Sequence, residues 1–244
     1  MLEGKLLGHI VSELGIRIDP ERVTSIQQVD IPRNKKDIQS FLGKINFLRR
    51  FIPNFVEIIK PISDMLKGNV EVKWSAVARE SFQKIKQALT EAPVLVSPRY
   101  DPKFLIFSFA SHETIVVVLL QKNEQGFEQP IAFFSKALRD AELKYDLMEK
   151  QAYALVKALK SFRVYILHAE IIAYVPSSVV RDILMQPDSE GKKGKWIVKI
   201  LEYNIEIKPT KLIKGQGLAR LLADSNCRVL GINQISDNGN DSLV

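Results

Sequence analysis

The chain has 244 residues, 46% hydrophobic and 26% charged, which places it among ordinary globular proteins and argues against wholesale disorder. Its formal charge of +7 and pI near 9.3 favour polyanionic partners. One cysteine, Cys227, and three scattered histidines, His9, His112 and His168, exclude an intrachain disulfide framework and offer no metal-ligand spacing. No apolar run reaches the ~18–20 residues of a membrane span, and the first residues carry too short an apolar stretch for a secretory signal. Cytosol or nucleus is the expected setting.

In chain order, Leu6–Ser12 (LLGHIVS) reads as one strand whose pairing partner is expected upstream. Asp19-Pro20-Glu21 opens a short helix, with Asp as N-cap and Pro in the first turn. In Lys36–Phe51 the apolar Ile38, Leu42, Ile45 and Leu48 recur at helical spacing, broadened by Phe41 and Phe47. Pro53 stops that helix, and a second, Val56–Leu66, is expected to break at Pro61. Ser75 caps a third, with Val77, Phe82, Ile85 and Leu89 as its apolar face. Residues 93–102 (PVLVSPRYDP) are punctuated by proline and extended, and a domain boundary is placed there.

The second half opens on two apolar strands, 103–110 and 114–121, joined by Ala110-Ser111-His112-Glu113. A third strand, Gln129–Phe134, follows a polar loop. A long helix is expected from about Asp140 to Leu167, then a strand Glu170–Val175 and a short helix Ser177–Met185. Residues 187–195, with three lysines, read as a loop, Trp196–Leu201 as a helical turn, and Tyr203–Lys208 as a fifth strand. Gln216–Ala223 reads as a last helix, and 227–244 as a polar disordered tail. Three hairpin-linked strands followed by crossover helices predict an α+β architecture in which a mixed five-stranded sheet with flanking helices follows a helical subdomain.

Several phrases resemble gypsy-type LTR retrotransposon polyproteins of plant-like character. Residues 6–12 with Gly15, Asp19 and Pro20 resemble the end of a reverse transcriptase palm. Gln39–Phe55 (QSFLGKINFLRRFIPNF) is similar to the thumb signature of that family. Lys73-Trp74, Phe82, Lys86, Leu89 and Ala92–Leu95 resemble the connection that follows. Phe104–Gln121, with Ile131–Lys136, Tyr145, Glu149 and Ala154-Leu155, resembles the first half of the RNase H domain, and Lys214–Ala219 its close. The resemblance implies palm end, thumb and connection over 1–98, and an RNase H-like fold over 99–226. It also implies that the polymerase turn, Tyr-x-Asp-Asp, belongs upstream of residue 1, so DNA synthesis by this chain alone is excluded.

RNase H cleavage uses about four carboxylates around two Mg²⁺ ions, one activating water and the other stabilising the leaving oxygen. Carried over residue by residue, the resemblance puts Phe109, Glu149, Pro176 and Arg220 at those positions. Glu149 alone is a carboxylate, and an acidic residue in the first part of a helix also has a plain account in the helix dipole. Phe and Arg cannot ligate Mg²⁺. No cofactor is therefore expected, Mg²⁺ included, and Glu113, Asp182 and Asp224 match no ligand position. Ser111 beside His112 lacks a third catalytic group, and Lys214–Gly217 lacks P-loop spacing. Arg49 and Arg50, with Lys192, Lys193 and Lys195 beside Trp196 and with Lys211 and Lys214, are candidate contacts to a nucleic-acid backbone. Solvated surface charge is the alternative account of Arg49 and Arg50. The sequence thus predicts a non-catalytic fragment with a structural or nucleic-acid-binding role, the nucleic acid being an RNA–DNA hybrid or a duplex. An RNA–DNA hybrid nuclease with an altered site and a protein-interaction module are the alternatives.

Overall fold

The computed structural model describes residues 3–68, 71–186 and 191–209. The expected helix Gln216–Ala223, the tail, and Lys211, Lys214, Arg220 and Asp224 lie outside those residues.

The chain begins with a small antiparallel sheet: β1 (Gly4–Leu6), β2 (His9–Ser12) and β3 (Gly15–Ile18). The single strand expected over Leu6–Ser12 is instead folded back on itself. Leu7 and Gly8 both take positive φ (48° and 78°), the two-residue turn that matches strand twist, and Leu6 pairs with His9. Its partners therefore come from within this chain. Gly15, at φ 128°, brings the next strand against the backbone at Leu95, where a Cβ would stand 2.3 Å from the Leu95 carbonyl oxygen. That approach lets Ile16 and Leu95 exchange both backbone hydrogen bonds, at 2.7 and 2.9 Å.

Four helices follow: α1 (Pro20–Gln27), α2 (Lys35–Asn46), α3 (Phe55–Asp64) and α4 (Ala76–Thr90). Asp19 caps α1 and Ser75 caps α4, as expected. The helix expected to reach Phe51 ends at Asn46, and a separate 3₁₀ turn, Arg49–Phe51, carries the chain to Pro53. This change of winding buries Leu48, Phe51 and Ile52 together with Ile38, Phe41 and Ile45. Each such aliphatic or aromatic side chain contributes about 1.5–3 kcal/mol when fully buried. α3 runs through Pro61 without breaking, anchored on either side of it by buried Phe55 and Ile62. On α4 the buried residue near the start is Ala78 and not Val77, which faces solvent.

The second sheet is ordered β6-β5-β4-β7-β8, with β4 (Phe104–Ala110), β5 (Thr114–Lys122), β6 (Glu128–Ala137), β7 (Glu170–Val175) and β8 (Asn204–Pro209). β4, β5 and β6 form antiparallel hairpins, whereas β7 and β8 join parallel to β4. The mixed five-stranded sheet is the one the sequence predicts. Strand alternation gives it two apolar faces. Phe104, Ile106, Ile115, Val117 and Leu119 pack on α5 (Leu147–Ile166) through Leu155, Leu159 and Phe162. Leu105, Phe107, Phe109, Val116 and Val118 form the second buried face, where Phe107 stacks on Tyr174 at 4.5 Å.

The long helix expected from Asp140 is two elements. A 3₁₀ segment, Asp140–Lys144, precedes Asp146, whose carboxylate caps α5 by accepting from the Glu149 amide at 2.8 Å. α6 (Ser178–Met185) begins at the Ser177 cap. α7 (Gly191–Leu201) starts earlier than expected, so Lys192, Lys193 and Lys195 are helical and not part of a loop. The two sets of helices are joined at β6. Arg49 donates to the Ser135 carbonyl at 2.6 Å, and Ser135 Oγ accepts from the Val56 amide at the start of α3.

Candidate functional site at the end of the central strand

β4 ends at Ala110, where its chain turns away and leaves a backbone N–H and C=O without ladder partners. Gln151, 1% exposed on α5, takes both: its Oε1 accepts from Ala110 N at 2.8 Å and its Nε2 donates to Ala110 O at 2.7 Å. Lys150 donates to the His112 carbonyl at 2.9 Å from the same helical turn. These bonds seat the first turn of α5, and with it Glu149, at the end of β4. β7 runs parallel to β4, the pairing ending at Phe107 opposite Tyr174, so Phe109 near the end of β4 and Pro176 just past the end of β7 lie at the same end of the sheet. Phe109, Glu149 and Pro176 thus share one end of the sheet.

Phe109 is 5% exposed on the second apolar face, paired with Val116. The Glu149 carboxylate, 12% exposed, is held between two ammonium groups of α7, Lys192 at 2.7 Å and Lys193 at 3.4 Å. Among the described residues no three His, Cys, Asp or Glu side chains converge. Mg²⁺ requires several oxygen ligands in near-octahedral array, so the described residues at this position do not fit it. Glu113 is drawn to Lys60 at 3.3 Å and Asp182 to Arg181 at 3.2 Å, so both are engaged elsewhere. Ser111 Oγ accepts from the Thr114 amide, which makes it a turn-former.

The candidate cations lie on separate elements. Arg49 is half-buried, committed to Ser135, and its guanidinium pKa is lowered by desolvation. Arg50 lies 5.8 Å from the Phe51 ring centroid and its Nε is buried without a partner. Lys192 and Lys193 are paired with Glu149, and Lys192 also sits 4.0 Å over the Tyr145 ring. Lys195 is exposed on the same helix.

A cluster around His9 was not legible in the sequence. The imidazole stacks on Phe51 at 5.3 Å and meets Phe47 edge-on at 5.6 Å, and its Nε2 is buried and unpartnered. Arg22 lies 3.8 Å over Phe47, packed against the Cβ-less Gly8. Burial first, then the Arg50 charge, then that of Arg22, keep the His9 pKa below the usual histidine value, against hydrogen bonds to the Leu6 and Leu7 backbone. Its members come from β2, α1, the end of α2 and the 3₁₀ turn, and no local pattern connects them. Beside it, the outer face of α2 exposes Lys36, Gln39, Ser40, Gly43 and Lys44. Gly43 has open space where a Cβ would stand, although glycine inside a helix costs about 1 kcal/mol relative to alanine.

Residues 74–173 match the family described as an RNase H-like domain found in reverse transcriptase. Over 99% of its length the chain is 30% identical to the retrovirus-related Pol polyprotein from transposon 297 of Drosophila melanogaster. Over 93% it is 28% identical to the Tf2-3 transposon polyprotein of Schizosaccharomyces pombe. It spans 23% and 17% of those relatives' lengths. Among solved structures it is similar to a foamy viral protease–reverse transcriptase in complex with double-stranded DNA (27% identity, TM-score 0.73, covering 86% of this chain and 38% of that one). It is equally similar to one in complex with an RNA/DNA hybrid (26% identity, TM-score 0.72, 87% and 30%). No helix among the described residues is long and apolar enough to cross a membrane.

Proposed function

We propose that this chain, a member of the retrotransposon reverse transcriptase and RNase H-like family, holds nucleic acid without cutting it. In this reading it is a gypsy-type segment, with the end of the palm, the thumb and the connection over 1–98 and a degenerate RNase H-like fold over 99–226.

The observation that carries the reading is Glu149. The one carboxylate that matches the family's metal site is paired with Lys192 and Lys193, and Phe109 at the same end of the sheet is a buried ring opposite Val116. In this reading the two ammonium groups meet the Glu149 charge in place of divalent cations, and no water is activated there. Binding is supported by a different set of groups. Arg22 and Arg50 lie near the rings of Phe47 and Phe51 and flank the neutral His9. Guanidinium groups pinned beside aromatic rings present their N–H edges to phosphate oxygens at little entropic cost. The open face of α2 at Gly43 lets a phosphate backbone approach closely. The structural neighbours with double-stranded DNA and RNA/DNA hybrid make the same ligand classes the first to test.

The test is a labelled RNA–DNA hybrid incubated with the protein and Mg²⁺, followed by anisotropy and by gel. Expected are binding that weakens steeply with salt and an intact hybrid. Cleavage abolished by Glu149→Gln would overturn the non-catalytic reading. Absence of salt-dependent binding would favour a protein-interaction module instead.

A further inference from the structure

On the outer side of α5, Tyr153 is the centre of a group that neither the sheet end nor the His9 cluster uses. Its ring packs against Tyr145 and Trp196, each 5.6 Å away, which fixes its orientation. Its hydroxyl donates to Glu142 Oε1. Lys136, from the edge strand β6, donates to both Glu142 oxygens, and the Arg139 amide donates to Oε2 at 3.1 Å. A carboxylate has about four lone-pair sites, so Glu142 is saturated by these four bonds.

Lys157 lies on the next turns of α5, half-buried, with its ammonium 4.9 Å from the Tyr153 ring centroid. The Lys136 ammonium is 5.4 Å from the same ring. Lys160 follows one turn later and is exposed. Neither Lys157 nor Lys160 has a carboxylate partner among the described residues. Lys136 is thus bonded to a carboxylate whose acceptors are already used, Lys157 lies close enough to feel its charge, and Lys160 adds a further exposed cation beside Lys157. Burial first, then the charge of Lys136, lower the Lys157 pKa. Glu142 opposes that shift and Lys160 adds to it. Lys157 is partly desolvated and has no hydrogen-bonded carboxylate of its own, an arrangement that an external oxyanion relieves.

We propose that Lys157 and Lys160, framed by Lys136 and the Tyr153 ring, form a contact surface for the phosphodiester backbone of a nucleic acid. This rests on the nucleic-acid reading above and assigns to it a surface on α5 that adjoins α7 through Trp196. The Tyr153 ring beneath Lys157 and the already saturated glutamate leave the Lys157 ammonium available to an anion from outside.

The experiment compares wild type with Lys157→Gln/Lys160→Gln on the same hybrid across a salt series, with Lys157→Arg/Lys160→Arg as the charge-retaining control. Loss of two phosphate contacts is expected to reduce the log–log salt slope by roughly 1.8 and to weaken binding several-fold at 0.1 M salt. The Arg variant is expected to keep the wild-type slope. In parallel, amine acetylation of wild type read by mass spectrometry is expected to slow at Lys157 when hybrid is added. Unchanged slope and unchanged Lys157 labelling in a wild type that does bind hybrid would overturn this surface while leaving the function above intact. A wild type that does not bind hybrid at all overturns both. A common melting temperature for the three proteins confirms that the slopes report binding and not folding.

Discussion

Gln151→Leu removes the clamp that holds the end of β4. The side chain is 1% exposed and makes two backbone hydrogen bonds, at 2.8 and 2.7 Å, to the N–H and C=O of Ala110, itself fully buried. Leucine keeps the volume but leaves both Ala110 groups without partners in an apolar setting. Each stranded group costs about 1–3 kcal/mol, so the expected loss is about 2–6 kcal/mol. With a urea m-value of about 2 kcal/mol/M, the midpoint falls by roughly 1–3 M. Gln151→Glu sharpens the test. A protonated carboxyl can accept from Ala110 N and donate to Ala110 O, whereas the carboxylate cannot donate. Burial raises the new group's folded pKa above its unfolded value. The folded state then binds more protons, so stability is highest in acid and falls as pH rises through that interval. Urea midpoints at pH 5 and pH 8 are the measurement. A Leu variant within about 1 kcal/mol of wild type, or a Glu variant indifferent to pH, would refute the two-bond account of this junction.

Further outcomes follow from other groups. Lys86, 8% exposed, donates to the carbonyls of Gln27 and Val29 at 2.8 and 2.6 Å. Lys86→Met strands both acceptors and is expected to cost about 1–3 kcal/mol in urea unfolding. Tyr153 has its phenol pKa raised well above the usual range, by burial first and then by the hydrogen bond to Glu142. Above about pH 10 the unfolded chain loses that proton while the folded chain keeps it, so stability declines with rising pH. Tyr153→Phe is expected to flatten that decline in thermal melts between pH 10 and 11. Phe109→Asp exchanges a buried ring for a carboxyl on an apolar face, and loss of the ring alone costs about 3–5 kcal/mol. The variant is expected to melt earlier at pH 7 than at pH 5 and to leave an RNA–DNA hybrid uncut, because Glu149 stays paired.

What the sequence made legible follows from how local each signal is. Asp19 and Ser75 cap the helices they precede, and the apolar runs of β4 and β5 announce a strand buried on both faces. The turn at Leu7-Gly8 was missed because a leucine at φ 48° gives no composition signal, and a strand with one glycine looks the same as a hairpin. Gly191 to Lys195 reads as a loop by composition. In the structure Trp196 packs on Tyr145 and Tyr153, and Glu149 holds Lys192 and Lys193, so tertiary contacts outweigh poor helix propensity. The same contacts explain the candidate site. Phe109 and Pro176 could be found by resemblance, but the Glu149–lysine pairing joins residues 43 apart, and the Gln151 clamp residues 41 apart. A glutamine in mid-helix carries no signal that it faces inward.

The central claim, that the end of β4 no longer accepts divalent cations, is tested most directly by titrating Mn²⁺ against the protein and following the free-ion paramagnetic resonance signal. Wild type and Glu149→Gln are expected to leave the same free-Mn²⁺ signal at every point. A saturable site present in wild type and lost in Glu149→Gln would contradict the account.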